Sequence, residues 1–174
     1  MTELYTDEVP SPIGDIVFAW RNDALRALYF CDHRDRMLAW FQSRFPDLEM
    51  RPREHRGFRR RVERYFEGDF TAFEGARLEP GGTPFQQKVW HALLDIPVGR
   101  TSGYGELAAR IGAPKAARAV GMANALNPIS IVIPCHRVVG CTGKLTGYGG
   151  GMDRKRWLLN HEASVKSEQS GLRF

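Results

Sequence analysis

Cysteine is scarce in this chain, and the three present, Cys31, Cys135 and Cys141, are an odd number. A disulfide framework is not expected from them. A chain of 174 residues can bury a core without staples, so reduced thiols in a reducing compartment are the reading. Long apolar runs are missing as well: none approaches the roughly 18 residues that a membrane span requires. The opening "MTELYTDEVPSPIGD" is acidic and lacks an apolar stretch, which is not how a secretory signal reads. Repeats and low-complexity segments are absent. A hydrophobic content of 43% with 11% aromatics excludes a disordered chain. The expectation from these absences is a soluble, cytoplasmic protein with no membrane partner.

Charge is present in quantity and unevenly placed. Residues 1–82 carry 13 Lys and Arg against 15 Asp and Glu, whereas residues 83–174 carry 12 against 5; balances of −2 and +7 sum to the net +5. A basic half is what a polyanion-binding surface needs, and it is equally what a solvated basic face looks like. The change of character coincides with a breaker cluster, Pro80, Gly81 and Gly82. Thr83 can then cap a helix, Pro84 suits its first position, and Gln86 completes a capping box. Two domains are expected, 1–82 and 83–174.

In the first half, "IGDIVFAW" and "ALRALYF" read as strands joined by a turn at Arg21–Asp23. "RDRMLAWFQSRF" and "GFRRRVERYFEG" read as helices, the latter with Phe58, Val62 and Phe66 on one face. The cluster of Arg51, Arg53, Arg56, Arg59, Arg60, Arg61 and Arg64 has the look of a nucleic-acid patch. Glu54 and Glu63 interleave with it, which favours a solvated helix face.

In the second half, helix Pro84–Leu94 places Phe85, Val89 and Leu93 in a core stripe. After a turn comes helix "YGELAARI", broken by Gly112 and Ala113, and then "PKAARAVGMANAL", opened by Pro114 and ended by Asn127-Pro128. Helix, short turn, helix in a basic half is the outline of a helix-turn-helix. The second of these helices is almost bare: Ala116, Ala117, Ala119, Gly121, Ala123 and Ala125 surround a protruding Arg118. A major-groove reader would offer several long polar side chains. A bare helix instead suits close approach to a narrow groove, with one arginine entering the base stack; small residues for tight core packing are the competing explanation. Beyond it, "ISIVI" reads as a short strand, Gly143–Gly151 as a flexible loop, and "RKRWLLNHE" as a last helix capped by Asp153. "ASVKSEQSGLRF" reads as a polar, frayed tail.

The chemistry gathers at "IPCHRV". A free thiol with a pKa of about 8.5 is mostly protonated at neutral pH, and a neighbouring base or positive field raises its thiolate fraction. Cys135 is followed directly by His136 and Arg137. Adjacent side chains usually diverge, so His136 would act through a water or after a sharp turn. A buried, inert thiol is the plain alternative. Zinc held by Cys135, His136 and Cys141, or by Cys31 and His33, fits no common ligand spacing. "GCTGKLT" is not a phosphate loop, since Val138 stands where that motif needs its first glycine.

Taken together, "NP", "IPCHRV", the "AARAVG" helix, "TGYGGG" and "RKRWLLNHE" resemble the O6-alkylguanine-DNA alkyltransferase family, most closely its stand-alone bacterial members, through residues 83–162. The resemblance implies an α/β N-terminal scaffold domain, a ribonuclease-H-like small sheet with helices, followed by a mainly α, winged helix-turn-helix domain. It implies that Cys135 is the acceptor thiol and that His136 and Glu162 form its water-linked relay. Asn127 falls where the family braces the cysteine turn, and Tyr104 matches the tyrosine that crowds the 3′ phosphate and can protonate the departing guanine. Arg118 matches the arginine finger, with Ala117, Ala119 and Gly121 on the DNA-facing helix. Tyr148, the backbone of Val138, and the rim positions Ser130, Thr146 and Gly149 correspond to the substrate pocket. The implied partner is double-stranded DNA carrying O6-alkylguanine, bound by a monomer with no obligate protein partner. Neither cofactor nor metal is expected, because Cys31 and His33 do not fall where zinc-binding members hold their ligands. O4-alkylthymine is an expected second substrate. A Cys-His hydrolase and a non-enzymatic DNA binder are the rival readings; the hydrolase leaves Arg118 and the bare helix without a role.

Overall fold

The computed structural model describes residues 2–170 and divides into two compact units. One comprises Met1–Gly81 with Pro128–Ser130, the other Gly82–Asn127 with Ile131–Phe174. Among the described residues no helix is long and apolar enough to cross a membrane.

The first unit is built on a mixed five-stranded sheet in the order β4-β1-β2-β3-β5. Strand β2 (Ile16–Arg21) and strand β3 (Ala24–Phe30) form an antiparallel hairpin. Asn22 and Asp23 at its tip both have positive φ, 50° and 57°. Two successive left-handed residues match the twist of the flanking strands, and Asn and Asp tolerate that conformation. Strand β1 (Thr2–Val9) pairs antiparallel with β2, and β4 (Leu48–Pro52) runs parallel to β1. Neither was legible in the sequence: "TELYTDEV" buries only Leu4 and Val9 fully among its described side chains, too sparse a pattern to announce a strand. The short β5 (Arg77–Leu78) lies parallel to the start of β3.

Helix α1 (Arg34–Gln42) sends Met37 and Phe41 against Leu4, Val17, Ala19, Ala27 and Tyr29. Helix α2 (Arg56–Phe66) buries Phe58, Val62 and Tyr65, with Phe58 edge-on to Phe18. Phe66, expected on that face, is only half-buried. Adjacent β2 side chains therefore pack against different helices, which is why the strand reads as a continuous apolar run. Every arginine of the Arg51–Arg64 cluster has a partner within this unit. Arg51 meets Glu3 and Glu49, Arg56 meets Glu54, Arg59 meets Asp7, Arg60 meets Glu63 and Glu67, and Arg64 meets Asp69. Arg53 lies over the rings of Tyr5 and Trp20, and Arg61 donates to the carbonyls of Ala72 and Glu74.

The second unit is mainly helical. Helix α3 (Pro84–Leu94) opens with the Thr83–Gln86 capping box and buries Val89, Trp90, Ala92 and Leu93, whereas Phe85 stays half-buried. The Trp90 indole donates to the Ala123 carbonyl at 2.9 Å, fixing α3 against helix α5 (Ala117–Ala125). Helix α4 (Tyr104–Arg110) ends at Gly112, whose φ is +76°. Gly112 N–H donates to Ala109 and Ala113 N–H to Ala108, the paired bonds of a Schellman stop. The turn that follows holds Pro114, so α5 starts at Ala117 and not at Pro114 as expected; Ala116 caps it without a side-chain bond. Strands β6 (Ser102–Gly103) and β7 (Val138–Val139) form a small parallel pair, and α6 (Met152–Ser170) closes the unit.

Three further expectations are corrected. "ISIVI" is not a strand: Ile129 makes one bridge to Leu28, and the chain then turns with Ile131 at φ 72°. Apolarity here reflects burial in a turn. Asp153 lies in the first turn of α6 instead of before it, and there pairs with Arg156. The segment after Glu162 continues that helix as far as Ser170, and the end of the expected tail, 171–174, lies outside the described residues.

Gly82 is a position where a side chain cannot be accommodated. Its φ is +84°, and a Cβ built there would lie 2.6 Å from the buried Trp90 ring. Gly82→Ala is expected to lower stability by roughly 2 kcal/mol or more, read as a lower urea midpoint with an unchanged m-value.

Candidate active site

Cys135 sits in the second unit on a single 3₁₀ turn, Cys135–Arg137, between the irregular segment after α5 and strand β7. The turn is tied from inside. Cys135 N–H donates to the Ile133 carbonyl and Arg137 N–H to Pro134, while Val138 N–H closes back on the Cys135 carbonyl. Asn127 donates from its side-chain amide to the Ile133 carbonyl at 2.8 Å and also hydrogen-bonds the thiol itself. Asn124, on α5, reaches the Cys135 carbonyl at 3.5 Å. Ile131, four residues before the thiol, adopts a left-handed backbone that a β-branched residue rarely takes, a strain of order 1–3 kcal/mol that the surrounding turn must hold.

The short turn brings together what an extended strand would have separated. His136 is fully buried, and its Nε2–H donates to Glu162 Oε1 at 2.8 Å. Glu162, on α6, also receives a two-pronged contact from Arg137: Nε to Oε2 at 2.8 Å and Nη2 to Oε1 at 2.9 Å. The third guanidinium nitrogen of Arg137 donates to the Ile96 carbonyl, just after α3. With Nε2–H committed to the carboxylate, His136 Nδ1 is left as the basic nitrogen; it is buried and makes no hydrogen bond among the described residues.

The electrostatics follow from burial and these contacts. Burial pushes the Glu162 carboxyl upward, but hydrogen bonds and charge from His136 and Arg137 outweigh it and hold the group well below the usual carboxylate range. Burial lowers the His136 imidazole below its ordinary value, overriding the opposite pull of Glu162, so the ring is a neutral base at pH 7. Burial raises the Cys135 thiol above its ordinary value; the Asn127 hydrogen bond, the charge of Lys155 and nearby backbone N–H groups reduce that rise without cancelling it. At rest the thiol is protonated beside a neutral imidazole. Proton transfer from one to the other is the chemistry this arrangement can perform.

Of the remaining expected residues, Ser130 falls in the first unit and the others in the second. Tyr104 begins α4, and its hydroxyl lies 3.2 Å from Thr146 Oγ1. Its ring lies close to Gly121 of α5, where an added Cβ would meet it at 3.6 Å. Tyr148 stands edge-on to the His136 ring, with centroids 6.4 Å apart. Val138 is fully buried, Gly149 is exposed, and Ser130 donates its N–H to Leu28 within the first unit. On α5, Arg118 and Ala119 are exposed and Ala117 and Gly121 half-buried. That helix is less bare than its alanines suggest, because Met122 is 62% exposed and stands one turn beyond Arg118. All three cysteines are free thiols, and among the described residues no three His, Cys, Asp or Glu side chains gather as a metal site.

Two participants escaped the sequence reading. Arg137 was visible only as a nearby positive charge, not as the clamp on Glu162. Lys155 is fully buried, its ammonium donating to the Val138 carbonyl at 2.5 Å and the Thr146 carbonyl at 2.7 Å. The available signal was spacing: Lys155, Leu158 and Glu162 fall at i, i+3 and i+7, one face of α6, and all three are buried.

A family model described as "6-O-methylguanine DNA methyltransferase, DNA binding domain" matches residues 84–164. The methylated-DNA–protein-cysteine methyltransferase of Salmonella typhimurium is 41% identical over 174 aligned residues, spanning 93% of this chain and 97% of that protein. Its Mycobacterium tuberculosis counterpart is 47% identical over 158 residues, 90% of each chain. The crystal structure of M. tuberculosis O6-methylguanine methyltransferase superposes with a TM-score of 0.78 at 44% identity, covering 92% of this chain and 93% of that one. That of M. tuberculosis OGT in complex with DNA gives 0.78 at 45% identity over 94% of both. Fold and comparisons together define a DNA-binding methyltransferase. The chain belongs to the methylated-DNA–protein-cysteine methyltransferase family, the O6-methylguanine methyltransferases.

Because the folded carboxyl of Glu162 is depressed below its unfolded value, its contribution to stability is complete above about pH 5 and is lost as the pH falls through the folded value. Glu162→Gln leaves Arg137 buried without its counter-charge. It should cost roughly 3–5 kcal/mol at neutral pH and flatten the acid limb of a stability-against-pH curve measured by denaturant titration.

Proposed function

We propose that this protein repairs DNA by direct reversal, moving the alkyl group of O6-alkylguanine irreversibly to Cys135 in a single turnover. The observation that carries the reading is a buried thiol on the same short turn as a buried imidazole whose Nε2 is anchored on Glu162. It stands within a chain that is 41–47% identical, over nearly its whole length, to methylated-DNA–protein-cysteine methyltransferases. His136 Nδ1 takes the Sγ proton through a bridging water, and Glu162 stabilises the imidazolium. The sulfur lone pair attacks the alkyl carbon, the carbon–O6 bond breaks, and its electron pair stays on the oxygen. Guanine then regains a proton, from His136 or from the Tyr104 hydroxyl. The thioether on Cys135 is not a leaving group, so no turnover follows.

The alkyl carbon of a paired O6-alkylguanine is out of reach inside the duplex, and extruding the base costs a few kcal/mol. α5 approaches from the minor groove, where Ala117, Ala119 and Gly121 permit close contact and Arg118 fills the vacated stack. Arg118 is free to do so, being exposed and making no hydrogen bond or ion pair among the described residues, in contrast to the partnered arginines of the first unit. Tyr104 crowds the 3′ phosphate, Asn127 braces the thiol turn, and Tyr148, Thr146, Gly149 and the Val138 backbone line the pocket for the extruded base. O4-alkylthymine presents a similar alkyl–oxygen bond and is a second substrate.

Intact-protein mass after mixing with an equimolar duplex carrying one O6-methylguanine tests the reading. The expected result is a gain of one CH₂, saturating at one per protein and mapping to the Cys135 peptide, with Cys135→Ala retaining DNA binding but gaining nothing. Tight binding without a mass change in the wild type would mark a lesion binder instead. Arg118→Ala should slow transfer from duplex DNA by roughly tenfold or more while leaving the single-stranded reaction near the wild-type rate, since only the duplex needs a base extruded.

A further inference from the structure

Lys155 is buried completely, yet it has no acidic partner. Its ammonium rests on two backbone carbonyls, Val138 and Thr146, and among the described residues it meets no carboxylate. The buried carboxylate of this unit, Glu162, is occupied on both oxygens by His136 and Arg137. An ammonium removed from water without a counter-charge is expensive and does not persist in a core without cause. The ionisable group it couples to is the acceptor thiol. Val138, whose carbonyl Lys155 holds, is three residues past Cys135 and donates its own N–H to the Cys135 carbonyl. Burial raises the Cys135 thiol and lowers the Lys155 ammonium; against that, charge on either group favours charge on the other.

We propose that Lys155 is the counter-charge of the Cys135 thiolate, a positioning residue that makes ionisation of a fully buried thiol attainable and locks the thiol turn to the Thr146 loop. Moving the proton from Sγ to His136 leaves the net charge of the cluster unchanged but gives every charge an opposite neighbour: imidazolium against Glu162, Arg137 against Glu162, and thiolate with Lys155. Without Lys155 the imidazole could still accept a proton, but the thiolate would face an imidazolium already shared with Glu162, with the Asn127 amide and backbone N–H groups as its other support. The charged and titratable groups around the sulfur are thus His136, Arg137, Glu162 and Lys155, with the Tyr148 ring against His136 and the Tyr104 hydroxyl on Thr146. The inference rests on Cys135 being the acceptor, as proposed above.

Ultraviolet absorbance of the thiolate, taken at each pH as the difference from Cys135→Ser, reports ionisation of Cys135 without any DNA. In Lys155→Gln the midpoint is expected to rise by at least about one pH unit, a roughly tenfold smaller thiolate fraction at a fixed pH below the midpoint. Lys155→Arg, which keeps the charge, should stay near the wild type. Single-turnover methyl transfer should fall in proportion in Lys155→Gln and recover as the pH is raised. A folded Lys155→Gln protein with an unmoved midpoint would overturn the proposal. Should that variant not fold, nitrogen-15 shifts of the Lys155 ammonium supply the same test in proteins that keep the lysine. Lys155 is expected to lose its proton at lower pH in Cys135→Ser than in the wild type, and identical titrations would sink the idea. If the midpoint moves as expected but the wild-type protein accepts no methyl from DNA, the acceptor role is rejected and the charge pairing stands.

Discussion

The carboxylate of Glu162 organises the second unit. It is removed from water, a loss of several kcal/mol for an isolated charge, and short hydrogen bonds from His136 and Arg137 help make that tolerable. Those bonds do more than neutralise it. The His136 contact fixes the tautomer, so that Nδ1 and not Nε2 is the base. The Arg137 contact, extended to the Ile96 carbonyl, ties the thiol turn both to α6 and to the chain after α3. Because His136 and Arg137 are consecutive, one carboxylate clamps two side chains of the same turn, and that turn begins with Cys135. Loosening Glu162 would therefore disturb the position of the thiol and the basicity of its neighbour together.

Burial of Cys135 has a chemical consequence of its own. A thiol pushed above its ordinary pKa is poorly nucleophilic towards adventitious electrophiles. In the mechanism proposed above, reactivity depends on an internal proton transfer to the imidazole, with the carbonyl-held ammonium nearby. The strained Ile131 and the Asn127 bridge serve this arrangement by forcing the chain to turn where its apolar, β-branched residues would otherwise extend. The left-handed residue has to be held by its surroundings, and here tertiary packing overrides local preference.

The two groups of arginines show how little charge counting says about function. Seven arginines between Arg51 and Arg64 make the densest basic stretch of the chain, and each is satisfied by acids, carbonyls or aromatic faces within its own unit. Arg118, by contrast, stands exposed on a helix of small residues that is braced through Trp90 against α3. Met122, one turn further on, adds an apolar protrusion to the same helix.

Local rules made much of this protein legible before any coordinates. The hairpin with Asn22 and Asp23, the Thr83 capping box, the stop at Gly112, and the succession of helices around "AARAVG" all rest on interactions within a few residues of one another. The adjacent Cys135 and His136 likewise stood out as a motif, and the family resemblance added Glu162. What sequence could not supply was partnership across distance. Strands β1 and β4 exist because a neighbouring strand completes their hydrogen bonds, and "ISIVI" is not a strand because that completion is withheld beyond one bridge. Arg137 read only as a positive charge near the thiol and Lys155 drew no notice, since nothing local says that a charge is buried. Only the folded chain decided that one would grip Glu162 and the other two backbone carbonyls, because burial and its compensation are set by residues that lie far apart along the chain.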